Sequence, residues 1–276
     1  MVQRIIVGFD GSPAAAVALK WAAAEAQLHE AELVAWTVKE RPESEGPHQR
    51  SAVARDAGGY PVTVRHGHGD AATALIAACA PADLLVVGSH RRGALTGLIL
   101  GSVSRRCVKH ALCPVVVVHP QSRPSRSTGR VVVGVDMSGH SRTALHVAAE
   151  EARRRGGQLD VVHAVYWENS GYELIVPTAE QLVEWGRRLV DTELAKAGVA
   201  GNPVVVHGHA ADVLVRASAD ADLLVLGRRG RGMLSEPRLG SVSAQCLHHA
   251  QCPVMITRPV GAAEQAPPRA RSSTGG

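Results

Sequence analysis

Aromatic residues are nearly missing from this 276-residue chain: one Phe, three Tyr and four Trp make up 3% of it. A bulky antiparallel sandwich needs more; the dominance of Ala, Val, Leu and Gly suits parallel strands packed under alanine-rich helices. Lysine is scarce too, with Lys20, Lys39, Lys109 and Lys196 against an arginine-rich remainder, which reads as the mark of a GC-rich genome rather than of a function. No apolar run reaches the roughly 18 residues of a membrane span. The opening MVQRIIVGFD shows no charged-then-apolar leader with a small-residue cleavage site, so the expectation is a soluble, cytoplasmic protein. Cysteines number five, an odd count, and Cys107, Cys113, Cys246 and Cys252 fall in segments that read as helix or strand start. Buried reduced thiols are expected in place of disulfides. The formal net charge is +5, but the arginines gather in two loops and a linker, not in a stripe interleaved with aromatics, which argues against a nucleic-acid surface.

What the chain does have is a repeat. RIIVGFDGSPAAAVALKWAAAEA, from Arg4, and RVVVGVDMSGHSRTALHVAAEEA, from Arg130, share one order: an apolar strand, an acid, a turn and an alanine-rich helix. DLLVVG from Asp83 returns as DLLVLG from Asp222, GSVS from Gly101 returns from Gly240, and CPV from Cys113 returns from Cys252, all at an offset of 139 residues. Asp10 and Asp136 are only 126 apart, so the first copy is shorter by about 13 residues, mostly between its second and third strands.

Each copy alternates strand and helix. Arg4–Phe9 reads as a strand, and Ser12 then Pro13 as a helix N-cap followed by proline at the first helical position, opening a helix to about His29. Further strands are expected near 33–38, 62–66, 84–88 and 115–118, then 131–135, 159–165, 204–207, 223–227 and 254–257, with helices near 70–80, 102–111 and 178–196. In the first copy the stretch matching this last helix is broken by Pro42, Pro47 and Gly58–Gly59 and reads as a stub. The pattern predicts an α/β fold: two tandem doubly wound parallel five-stranded sheets, Rossmann-like, with right-handed crossovers. The expected organisation is a first domain over 1–119, a linker over 120–129, a second domain over 130–260 and a disordered tail over 261–276. The last strand of each copy, VVVV after Pro114 and VMIT after Pro253, belongs at a sheet edge, where two apolar edges invite pairing within one chain.

Sheets of this kind bind ligands at the carboxyl ends of strands, where the strand order reverses. The stretch GRRGRGMLSEPRLGS, Gly227 to Ser241, leaves the fourth strand of the second copy and returns to a helix. Gly227 and Gly230 are expected at positive φ with their amides turned to an anion. Gly240 admits a close backbone approach, Ser241 serves as N-cap or phosphate donor, and the helix start itself favours negative charge. Arg228, Arg229, Arg231 and Arg238 are candidates to neutralise that charge, with Glu236 acting against them. In the first copy Gly88 and Gly101-Ser102 keep the spacing, but Arg91 replaces the second glycine; its side chain either fills the phosphate space or clamps the phosphates. Two His-Gly-His turns, at 66–68 and 207–209, recur after the third strands; no cysteine or acid joins them at ligand spacing, so no metal site is assigned. Trp21, Trp36, Trp167 and Trp185 read as packing residues.

Gly227-x-x-Gly230, nine residues, then Gly240-Ser241, together with IIVGFDGS, VVVGVDMS and the two Cys-Pro-Val runs, resembles the universal stress protein family over nearly the whole chain outside linker and tail. The resemblance implies the adenine-nucleotide alpha-hydrolase-like fold and ATP as ligand, with Mg or Mn accompanying it. It places Asp10 and Asp136 near ribose and phosphate or metal, and the backbone at Val38 and Ala164 against adenine. The signature residues Gly88, Gly101, Ser102 and Val103 in the first copy, and Gly227, Gly230, Gly240, Ser241 and Val242 in the second, would cradle the phosphates. It further implies a nucleotide-dependent, non-catalytic regulator in stress or growth arrest, acting as a homodimer with protein partners of unknown kind.

Dedicated catalysis is not the expectation. No P-loop lysine is present, the loops DGSP and DMSG carry no positioned nucleophile and base, and Gly8 to Pro13 fails G-x-G-x-x-G at its third position. Slow ATP hydrolysis and an interaction scaffold with vestigial sites are the alternatives.

Overall fold

The computed structural model of the chain describes residues 2–39, 53–80, 83–89, 100–120, 128–166, 177–230 and 239–258. In the first copy β1 (Arg4–Gly8), α1 (Pro13–His29), β2 (Glu32–Lys39), β3 (Thr63–His68), α2 (Ala71–Ala78), β4 (Leu84–Gly88), α3 (Ser102–His110) and β5 (Val115–Val118) follow in order. The second contributes β6 (Val131–Gly134), α4 (Gly139–Arg154), β7 (Leu159–Val165), α5 (Ala179–Ala197), β8 (Asn202–His207), α6 (Ala210–Ala217), β9 (Leu223–Gly227), α7 (Ser241–His249) and β10 (Val254–Thr257). Residues 53–56, where the first copy was expected to hold only a stub, form one helical turn. No described helix is long and apolar enough to cross a membrane.

The caps explain the helix starts. Ser12 and Ser138 accept from the amides of Ala15 and Ser141, while Thr178 and Gln181 form a reciprocal capping box for α5. α5 fills the second copy's extra length. α6 has no such signal, since its N-cap is His209 and no side chain caps it.

The strand order is β3-β2-β1-β4-β5-β10-β9-β6-β7-β8. Within each copy every pairing is parallel. The two five-stranded sheets expected from the repeat are therefore halves of one ten-stranded sheet, joined where β5 and β10 pair antiparallel, Val117 opposite Val254 and Val115 opposite Ile256. This is the edge-to-edge pairing that the apolar last strands invite.

Alternate residues of each strand enter opposite layers. Ile5, Val7, Val116, Val133, Val225 and Met255 face α1, α4 and α5. Ile6, Val115, Val132, Leu224 and Ile256 face α2, α3, α6 and α7. Both layers draw on both copies, so the core is continuous across the seam. All five cysteines are buried thiols outside any disulfide, as buried small hydrophobes would be.

Over the seam α1 meets α4 through four charged side chains at equivalent repeat positions: Glu25 and His29 on one helix, Glu151 and Arg155 on the other. Arg155 Nη2 reaches Glu25 Oε1 at 2.6 Å and its Nη1 pairs with Glu151. His29 Nε2 lies 3.2 Å from Glu151 Oε1 and 3.6 Å from Glu25 Oε2. Burial alone would push the His29 pKa down; the Glu151 and Glu25 carboxylates overcome it and hold the pKa up at about 9. Burial likewise opposes ionisation of Glu151, yet His29 and Arg155 bring its pKa below the ordinary value. A raised histidine pKa stabilises the fold fully below the unfolded value of 6.5 and loses that contribution as pH rises through about 9.

The stability gap between wild type and His29→Gln, measured by urea denaturation, is accordingly expected to be widest below pH 6.5 and to close as pH passes about 9. A gap of constant size across that window contradicts the charged role of His29.

Candidate functional site

In each copy the strand order turns back between the first and fourth strands, which opens a crevice at their carboxyl ends. The crevice of the first copy encloses about 510 Å³ and that of the second about 320 Å³, both in the range of small-molecule sites, roughly 300–1,000 Å³. Asp10, Val38, Gly88, Gly101, Ser102 and Val103 line the first. Asp136, Ala164, Gly227, Gly230, Gly240, Ser241 and Val242 line the second. Of the other candidates named from the sequence, Arg229 joins them and Arg228 does not, while Arg91, Arg231, Glu236 and Arg238 lie outside the described residues.

The acids sit in equivalent turns. Asp10 Oδ1 accepts from the Ser12 amide at 2.9 Å and Asp136 Oδ1 from the Ser138 amide at 3.1 Å. Each carboxylate is thereby held at the crevice rim by the start of the helix that follows, the local turn that aspartate favours.

The glycines act differently from expectation. Neither Gly227 nor Gly230 has a positive φ; both are needed for space. A Cβ on Gly227 would stand 2.8 Å from the His140 backbone, and one on Gly88 would stand 2.6 Å from the Ala14 carbonyl oxygen. At Gly230 it would meet the Asp136 carboxylate at 2.5 Å. Close helix-to-strand packing and room for the acid are what these positions require.

Ser102 and Ser241 are the first helical residues, not N-caps; the caps are Gly101 and Gly240, and no side chain bonds the leading amides of α3 or α7. Those amides keep their positive field toward the crevice. The second serine of each GSVS run, a residue the sequence reading passed over, clamps the wall: Ser104 Oγ donates to Gly88 O and Ser243 Oγ to Gly227 O, both at 2.8 Å. The exact repetition of GSVS carried that signal.

Of the arginines proposed to face an anion, Arg229 lines the second crevice. Arg228 does not. It is 8% exposed and its Nη1 donates to Lys109 O at 2.9 Å, so it caps the carboxyl end of α3 across the seam. The field beside the crevice is positive nonetheless: burial first, then Arg229 and Arg228, hold the His140 pKa below its ordinary value in spite of Asp136. One wall position differs between the copies: Trp36 lines the first crevice where Val162 lines the second, while Leu75 and Leu214 correspond. Trp36 stands at the repeat position of Val162, so the sequence offset predicts this difference once the offset is known.

A doubly wound α/β protein with an anion-receptive crevice at each switch point is the class that this fold and geometry define. A sequence model of the Universal stress protein family matches residues 1–60, 49–119 and 128–258, and the chain belongs to that family. A universal stress protein of Mycolicibacterium smegmatis is 34% identical over 285 residues, spanning 92% of this chain and 97% of that one. One from Mycobacterium tuberculosis is 38% identical over 192 residues; that match covers 64% of this chain and 62% of the relative's length, under two thirds of it. Among solved structures, a universal stress protein from Archaeoglobus fulgidus aligns over 94% of this chain and 100% of its own with a TM-score of 0.71 at 18% identity, a likeness of fold.

The steric contacts separate two kinds of glycine. Gly88→Ala and Gly227→Ala, which drive a methyl into backbone, are expected to lower stability by about 1–3 kcal/mol each. Gly101→Ala, whose Cβ would meet only Ser104 Oγ at 3.9 Å, should stay within about 1 kcal/mol of wild type. Guanidinium unfolding of the three variants checks the split.

Proposed function

We propose that this universal stress protein is a nucleotide-dependent regulator that binds ATP in one or both crevices and uses occupancy to set its conformation and choice of protein partner. The observation that carries the reading is the uncapped amino end of α3 and of α7, each aimed over a glycine-bounded strand end within reach of an aspartate. A polyphosphate meets these needs together: leading amides receive its oxygens, Arg229 in the second crevice adds a charge-assisted donor, and Asp10 and Asp136 face the ribose or an accompanying Mg or Mn. When bound, that metal would neutralise phosphate charge beside the aspartates. Val38 and Ala164, on the strands next to the switch point, offer backbone to the adenine edge.

In this reading the first domain comprises residues 1–119 and the second 130–260, with 120–129 as linker, and the chain works as a cytoplasmic homodimer. Regulation is favoured over turnover because, among the described residues that line the crevices, the Ser104 and Ser243 hydroxyls donate to backbone carbonyls and not to a base.

The test is nucleotide content and ATP titration of purified wild type, Gly230→Asp and Gly101→Asp. Wild type is expected to carry or bind ATP, Gly230→Asp to lose the second-crevice share by at least tenfold in affinity, and Gly101→Asp to lose the first. Equal binding by all three removes the crevices as the site, and no binding by wild type leaves an interaction scaffold. Added Mg or Mn that leaves the ATP affinity unchanged removes the metal from the proposal.

A further inference from the structure

We propose that Glu25, His29 and Glu151 form a binding site for a divalent cation of the zinc class, on the pseudo-two-fold axis between the two copies and apart from both crevices. The three offer one ligand atom each, all within 4.8 Å of one another. His29 Nε2 faces Glu151 Oε1 at 3.2 Å and Glu25 Oε2 at 3.6 Å. Around a tetrahedral ion with nitrogen and oxygen ligands at about 2.0–2.1 Å, neighbouring ligand atoms stand roughly 3.3–3.4 Å apart, which falls between these two separations.

Two of the three atoms turned into the cluster, Glu25 Oε2 and His29 Nε2, meet as an ion pair without forming a hydrogen bond, and His29 Nδ1 on the other edge of the ring has none either, although the side chains of Glu25 and His29 are only 8% and 2% exposed. Arg155 explains how the carboxylates are aimed: it takes Glu25 Oε1 and Glu151 Oε2, and so turns the other oxygen of each toward His29. Outer partners that hold the far oxygen of a ligating carboxylate are a regular part of metal sites.

The donor set decides the class of ion. Binding displaces the His29 proton to solvent, and the resulting set of one imidazole and two carboxylates suits zinc and cobalt, whereas magnesium demands near-octahedral oxygen and keeps most of its water. Three protein ligands leave a fourth position to solvent. Glu25 and His29, one turn apart on α1, come from the first copy and Glu151 on α4 from the second, so the ion would tie the two halves together above the β5–β10 seam.

The test uses untagged full-length chain, stripped with chelator and free of nucleotide, titrated with Co²⁺. One equivalent is expected to give the visible bands of tetrahedral nitrogen and oxygen ligation without a thiolate charge-transfer band, to raise Tm, and to yield to Zn²⁺. His29→Gln and Glu151→Gln should lose that equivalent, and His209→Gln, outside the cluster, should keep it. Glu25→Asp preserves charge but retracts the ligand; with an unchanged circular dichroism spectrum it should weaken Co²⁺ affinity by about tenfold or more, so the proposal stays testable should the other variants fail to fold. Absence of a tight equivalent in wild type, a thiolate band, or undiminished affinity in Glu25→Asp overturns the site and leaves a plain ion-pair cluster. None of these readouts depends on ATP binding.

Discussion

Backbone pairing between β5 and β10 is the constraint from which the arrangement of the molecule follows. Each strand is a run of apolar residues buried on both faces, and left unpaired it would expose both side chains and ladder amides. A parallel sheet built from βαβ units gives such a strand one partner only, because the units grow outward from the switch point. The second partner comes from the other copy. The pairing is antiparallel, which relates the copies by a pseudo-two-fold axis normal to the sheet and sets α1 beside α4 on one face.

Equivalent positions that meet on such an axis must suit each other. Glu25 would face Glu151, and like charges in a buried site are tolerated only with cations beside them; His29 and Arg155, which are repeat equivalents, supply these. Away from the axis the copies have diverged. The positions that follow the fourth and fifth strands are Ser89 and His119 in the first copy, hydrogen-bonded at 2.7 Å, and Arg228 and Arg258 in the second. The arginines reach carbonyls at the carboxyl end of α3, Lys109 O and Val108 O. α3 thus has one end at the first crevice and the other against two arginines of the second copy.

Local signals were legible where chemistry is local. Ser12-Pro13 marks the start of α1 because a hydroxyl acceptor and a preset φ each act within one turn, and apolar strand runs are read directly from β-branched content. The start of β8 at Asn202-Pro203 is hidden by a proline that an outer strand accommodates. Glycines are legible as a need and ambiguous as to its cause: conformational freedom and lack of bulk leave the same letter in the sequence, and only the neighbours of Gly88, Gly227 and Gly230 show that bulk is the reason.

By itself the sequence determined the alternation of strand and helix and the twofold repeat with its offsets, since each depends on short-range preference or on comparison of the chain with itself. Tertiary structure alone decided that Arg228 turns away from the crevice to cap a helix of the other copy, and that Glu25, His29, Glu151 and Arg155 converge. These are contacts between residues up to 130 positions apart. No local preference encodes them; they exist because two buried strand edges must find each other.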